Sequence, residues 1–325
     1  MTTAGKNKIK TDLNRADCLS FYRTMASSHA RLPDVCEACL MKKGYGHYPS
    51  DASDEEIEAY REEFLKIIAR HADDMCAPEI TMLLDEMRER RFGTGRKGLT
   101  DYAPVKRHFN EFMLRFVPQV EEDIRSAPDP FLRAMQYALT GNVIDFASPE
   151  RVDEDSVSAA LARAREILLD SGIVRDLKER VRTASSIVYL TDNCGEVVMD
   201  RLFLREIKAL APSSPAPRIT VIVKGAPAVN DATIEDALQA GLDKEAEVIG
   251  NGRGNAVGGT SIPLMDDKSR GVLLSAGLII SKGMGNFETL IESGLDIFHL
   301  FLCKCDLFVN FFQAERMQGL LVHQH

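Results

Sequence analysis

The feature that most restricts the fold is an alternation that begins near residue 185. Short runs rich in β-branched and aromatic residues, at 187–191, 219–223, 246–249, 278–281 and 297–305, are separated by stretches with helical spacing of apolar residues. Strand and helix alternating in this way predict an α/β fold with a mostly parallel sheet covered on both faces. Parallel strands bring their carboxyl ends to one edge, and open α/β sheets bind ligands there.

The first run is the pivot. Residues 187–191 read as a buried strand that stops at Asp192-Asn193-Cys194-Gly195, which is turn chemistry, and a helix follows from Glu196 with Val197, Leu202, Leu204, Ile207 and Leu210 as its apolar positions. Taken alone, the turn reads as an Asx-turn with Asp192 or Asn193 capping the helix.

Ahead of this half, residues up to about 140 have helical periodicity. Ser53 and Glu56 form a capping-box pattern before the stripe Ile57, Tyr60, Phe64, Leu65, Ile67 and Ile68. Pro78 opens a second helix and Pro104 a third, the latter carrying Val105, Phe109, Phe112, Met113 and Phe116, aromatics that read as core. Residues 44–50 read as a loop with a solvated His47, and Gly141-Asn142 as a helix end with Asn142 in a left-handed turn. Pro128, Pro130 and Pro149, with the acids at 153–155, mark a boundary between a helical part, 1–150, and an α/β part, 151–325, in which Ser156 caps a helix running towards Ala184.

A net charge of -9 and a pI near 5.4 argue against a general nucleic-acid or anionic-membrane binder, so any anion site is built locally. No run of 18 apolar residues appears and the amino terminus lacks a signal-peptide core, which places the chain in the cytoplasm. Seven cysteines without an export signal predict free thiols. Cys36-x-x-Cys39 has no partner pair of zinc-ribbon spacing and reads as two buried thiols on one helix face. The sequence does not set the oligomeric state.

Three strands end in polar, glycine-containing turns: Asp192–Glu196, then Lys224-Gly225 through Asn230-Asp231, then Lys282-Gly283-Met284-Gly285-Asn286. Asp192, Asn193 and Asp231 together supply two carboxylates and an amide oxygen, a hard ligand set suited to Mg²⁺ or Mn²⁺. Lys282 and the adjoining glycines offer an ammonium and backbone N–H groups at a helix start, which is phosphate-binding chemistry. Each segment by itself also reads as a cap or a turn.

These three segments, with Gly141-Asn142-Val143-Ile144-Asp145 ahead of them and Lys304-Cys305 behind, resemble the DUF89 family, the metal-dependent damage-control phosphatases related to the ARMT1-like proteins. Cys36-x-x-Cys39 looks like the microbial subgroup that carries such a pair. The resemblance implies a helical amino-terminal domain on a three-layer α/β/α domain, and a divalent ion (Mn²⁺, Mg²⁺, Co²⁺ or Ni²⁺) held by Asp192, Asn193 and Asp231. It implies a small phosphorylated metabolite, a sugar phosphate or damaged nucleotide, as substrate, with Lys282 on its phosphate. Gly283, Asn286, Glu196 and Asn142 complete the expected phosphate side. Asp192, Asp231 and Lys282 are the expected catalytic residues, with Asp231 or Glu196 taking a proton from water and Glu196 otherwise a supporting acid. Gly277 departs from the family, whose members often carry an acid there. The competing readings are a carboxyl methyltransferase using S-adenosylmethionine, for which no Gly-x-Gly-x-Gly turn follows the first strand, and a non-catalytic sugar-phosphate or nucleotide binder.

Overall fold

The structure is a computed structural model that describes residues 9–25, 27–93, 101–144, 153–212, 214–252 and 256–325. Its strands are β1 (Asp12–Leu13), β2 (Ser186–Leu190), β3 (Arg218–Val223), β4 (Glu247–Gly250), β5 (Leu278–Lys282), β6 (Ile297–Leu302) and β7 (Gly319–Gln324). They form one sheet in the order β1-β7-β6-β5-β2-β3-β4, in which only the β6–β7 pair is antiparallel. The five expected runs are β2 to β6. Strand β1, two residues long, and β7 were not expected.

The strand order contains one reversal that matters. From β2 the chain steps outward through β3 to β4, then returns to lay β5 on the other side of β2. The crevice between the carboxyl ends of β2 and β5 is therefore the switch point of the sheet, where side chains from diverging loops meet.

Alternation along the strands divides the core. Ile187, Tyr189, Val221, Ile280 and Leu300 share one cluster with helices Ala103–Leu114, Val117–Ser126, Pro130–Gly141 and Glu196–Leu210. Val188, Leu190, Ile222 and Ile279 face the other way, onto Leu273 and Leu290. Both faces are covered, which is why the strands read as continuous apolar runs.

This layout differs from a division at residue 150, a position outside the described residues. Helices between 103 and 141 belong to the same core as the sheet, while Asp34–Gly44, Asp54–His71 and Ala77–Phe92 build a separate small core around Tyr60, Phe64 and Met87. The helix from Pro104 also ends at Leu114, earlier than its aromatic spacing suggested.

The local signals hold where the side chain has one role to play. Ser53 Oγ accepts from Glu56 N at 3.2 Å and Glu56 returns the bond to Ser53 N at 2.8 Å. Ser156 is not a cap but the third residue of a capping box led by Asp153, and the helix it opens stops at Ala162 before Asp170 caps another, Ser171–Thr183. Asn142 is right-handed, with φ -66°. Of the two thiols expected to be buried on one helix face, Cys39 is exposed and Cys36 half-buried. Among the described residues, no helix is long and apolar enough to cross a membrane.

Candidate active site

Past Leu190 the chain leaves β2 but stays tethered. Thr191 N donates to Ile222 O at 3.1 Å, Ala232 N to Asp192 O at 2.7 Å, and Cys194 N to Asn230 O at 2.8 Å. These bonds create a short antiparallel bridge between Asn193 and Asp231. Paired residues in such a bridge lie about 5 Å apart at Cα, so Asp192, Asn193 and Asp231 meet at the end of the sheet although 38 residues separate Asn193 from Asp231 in the sequence. All three are nearly buried.

The loop that delivers Asp231 is held in a costly shape. Val229 has φ 45°, a left-handed conformation that a β-branched side chain resists. Asn230 anchors it by donating from Nδ2 to Ile144 O at 3.1 Å.

The other wall of the crevice is Gly283, where β5 ends with φ 81°. A Cβ there would come within 2.0 Å of Asp192 Oδ2, so only glycine lets the carboxylate rest against the backbone. Asn286 joins the two strand ends, donating to Thr191 O at 2.9 Å and Lys282 O at 2.8 Å, while its Oδ1 accepts from Thr260 at 2.7 Å.

Asp192 Oδ2 accepts from Asn142 Nδ2 and from Asn193 Nδ2, each at 2.8 Å. Glu196 Oε2 accepts from the same two amides, at 2.8 and 3.2 Å. Turning its nitrogen to the carboxylates aims the other end of the Asn193 amide away from them, and Oδ1 accepts no hydrogen bond among the described residues. Two carboxylates and a spare amide oxygen, bounded by a glycine that keeps the space clear, fit a hard divalent cation.

Lys282 does not stand where the sequence put it. Its ammonium is fully buried and donates to Glu196 Oε1 at 2.5 Å, Asp200 Oδ1 at 2.7 Å and Ala138 O at 3.0 Å, which uses all three of its hydrogens. Burial opposes the charge, but Asp200 and Glu196 outweigh it and hold the ammonium above the usual lysine range. Burial pushes the Asp200 carboxyl up to about 6, against the pull of Lys282. Asp200 also accepts from Tyr189 OH at 2.7 Å.

The remaining phosphate-side expectations change for the same reason. Gly283 N donates to Leu300 O at 2.9 Å, Asn142 Oδ1 accepts from Leu302 N at 3.1 Å, and Asn286 has both ends engaged. Asn142, Asn286, Glu196 and Lys282 thus form the frame behind the ligand set. Gly277 lies just before β5 and packs on Ser186, at the opposite end of the strands from Asp192. Asp145 lies outside the described residues.

Sequence reasoning missed several participants. Lys224, at the end of β3, is buried with Nζ 3.3 Å from Asp231 Oδ2 and also donates to Gly259 O. Asn110 accepts from Gly195 N at 2.6 Å and donates to Asp236 and Gln239, while Lys106 pairs with Asp236 at 2.6 Å. Asp200 had a readable signal: four residues after Glu196, it must share a helix face with it.

Fold and crevice together define a layered α/β protein that gathers carboxylate and amide oxygens at the reversal point of its sheet. The model of the damage-control phosphatase ARMT1-like domain matches residues 32–320. The chain is 32% identical over 283 residues to a damage-control phosphatase of Archaeoglobus fulgidus, covering 85% of this chain and 93% of that one. It is 35% identical over 182 residues to a damage-control phosphatase of Pyrococcus horikoshii, covering 54% and 58%. A solved DUF89-family structure from Pyrococcus horikoshii has the same fold, with TM-score 0.72 at 23% identity over 89% of this chain and 97% of that one. The protein belongs to the damage-control phosphatase ARMT1-like family, and it is an enzyme, a metal-dependent phosphatase.

Proposed function

We propose that Asp192, Asn193 and Asp231 hold a divalent ion, and that the enzyme hydrolyses phosphate monoesters of small phosphometabolites, sugar phosphates or damaged nucleotides, in that crevice. The observation that carries this reading is the Asn193–Asp231 bridge at the switch point, with Asn193 Oδ1 turned away from its carboxylate neighbours. When bound, a divalent cation supplies charge neutralisation at the phosphoryl oxygens and a more acidic water. Mn²⁺, Mg²⁺, Co²⁺ and Ni²⁺ all suit such a set.

The chain's own groups divide the remaining work. Asn142 and Asn193 fix the Asp192 carboxylate, and Lys282 with Asp200 fixes Glu196, so the ligand oxygens need little reorganisation when charge develops. Lys224, whose ammonium stands 3.3 Å from Asp231, takes the phosphate role first given to Lys282. Both oxygens of Glu196 are occupied, which makes it a supporting acid, and the proton of the attacking water passes to the Asp231 side of the crevice, where Lys224 faces the carboxylate. Cys36-x-x-Cys39 supports a place in the microbial subgroup.

The test is a chelated enzyme assayed on p-nitrophenyl phosphate and a phosphometabolite panel after adding back each metal. Turnover should return only with metal and fall at least ~100-fold in Asp192→Asn and Asp231→Asn. Full activity in either variant, or activity that ignores chelation, removes the assignment.

A further inference from the structure

The strand pairing gathers a second set of ligands at the opposite edge of the sheet. Strand β7 runs against β6, so His323 and Gln324 lie beside Phe298 and Ile297 at the start of β6, far from its end at Leu302. Strand β1 pairs with β7 so that Asp12 is directly across from His323. Residues two apart on a strand point to the same side, which brings His325 to that side as well.

One donor atom from each of Asp12, His323 and His325 lies within 4.8 Å of the other two. His325 Nδ1 is 3.3 Å from Asp12 Oδ1. His323 is buried and stacked on Phe298, with ring centroids 4.1 Å apart and 7° between planes, so its ring has no freedom to turn away.

Carboxylates surround that fixed ring. His323 Nδ1 is 3.2 Å from Asp176 Oδ2, and Nε2 is 2.9 Å from Asp296 Oδ1. Three acids, Asp12, Asp176 and Asp296, thus face the two imidazoles, and among the described residues Arg180 pairs with one of them, Asp296. The excess is negative unless a cation enters or both rings carry protons.

We propose that Asp12, His323 and His325 form a second divalent-metal site that joins the amino-terminal edge strand β1 to its neighbour β7. Two imidazole nitrogens and one carboxylate are the donors of borderline ions such as Zn²⁺, Co²⁺ and Ni²⁺, unlike the all-oxygen set at Asp192. With the ring held in place, one nitrogen of His323 would exchange its carboxylate for the metal while the other keeps its own, the arrangement that orients metal-bound imidazoles. The competing arrangement is a pair of imidazolium–carboxylate contacts with no metal.

Zn²⁺ titration calorimetry in an Asp192→Asn/Asp231→Asn background tests the site apart from the phosphatase crevice, with Co²⁺ absorption as a second reading of imidazole ligation. One equivalent should bind, and His325→Ala or Asp12→Asn should each weaken it at least tenfold. Both side chains are exposed, and either substitution in the otherwise unaltered enzyme should leave turnover unchanged. Absence of Zn²⁺ binding in the background variant, or affinity untouched by both added substitutions, overturns the proposal, whatever the oxygen site proves to hold.

Discussion

Lys282 Nζ stands 2.5 Å from Glu196 Oε1, with neither side chain exposed to solvent. A buried ion pair of this kind adds little net stability compared with an apolar pair, but removing one member leaves a charge without compensation. The pair is thus a positioning device. It holds Glu196 so that its other oxygen can orient the amides of Asn142 and Asn193.

Lys282→Met should therefore lower stability by about 3–5 kcal/mol, read from urea midpoints, and should reduce kcat more than it raises KM. A variant of native stability with only a raised KM would return Lys282 to direct phosphate contact.

Gly283→Ala places a methyl group where the Asp192 carboxylate sits, on a backbone at φ 81°. Expected outcomes are a stability loss of about 1–3 kcal/mol and a much larger proportional loss of metal affinity, measured by calorimetry. Unchanged metal affinity would mean that Asp192 is not a ligand.

Glu288 is buried, and burial pushes its carboxyl up to about 7 from 4.5, with Lys43 pulling the other way. Between these values the folded chain keeps a proton that the unfolded chain has lost, so stability declines as pH rises through the window. The decline should be about 3 kcal/mol between pH 4.5 and 8, and Glu288→Gln should remove most of it. A pH profile identical in wild type and variant would contradict the assignment.

Among the cysteines, Cys39 is exposed on the helix Asp34–Gly44, whereas burial pushes the Cys18 thiol up to about 11 and the Cys303 and Cys305 thiols up to about 12. Cys36 and Cys194 are raised further by the same cause. Iodoacetamide at pH 8 should label Cys39 first, because thiolate fraction and access set the rate. Peptide mapping that finds Cys36 or Cys305 labelled earlier would refute this.

Much of the architecture was legible because it rests on periodicity. Strands β2 to β6 and the Ser53 cap follow from residues whose neighbours in sequence decide their state. Strand β1 is two residues long and exists only through β7, so nothing local announces it. The candidate ligands Asp192, Asn193 and Asp231 could be picked out as polar side chains after strand ends, but which lysine stands beside Asp231 could not, since Lys224, just past β3, and Lys282, at the end of β5, both precede a glycine. What separates them is the helix Glu196–Leu210, whose Glu196 and Asp200 accept from Lys282 in the core. The role of Asn142 was hidden for a related reason, because a helix-ending asparagine satisfies local rules whether or not a distant carboxylate needs its amide.

Helices between 103 and 141 close the same apolar interior as strands β2, β3 and β5. A stretch starting after residue 150 therefore lacks part of the apolar interior on which strands β2, β3 and β5 pack. A fragment starting after residue 150 would keep Asp192, Asn193 and Asp231, yet it would lose Asn142 and the aromatic roof formed by Phe109, Phe112 and Phe131.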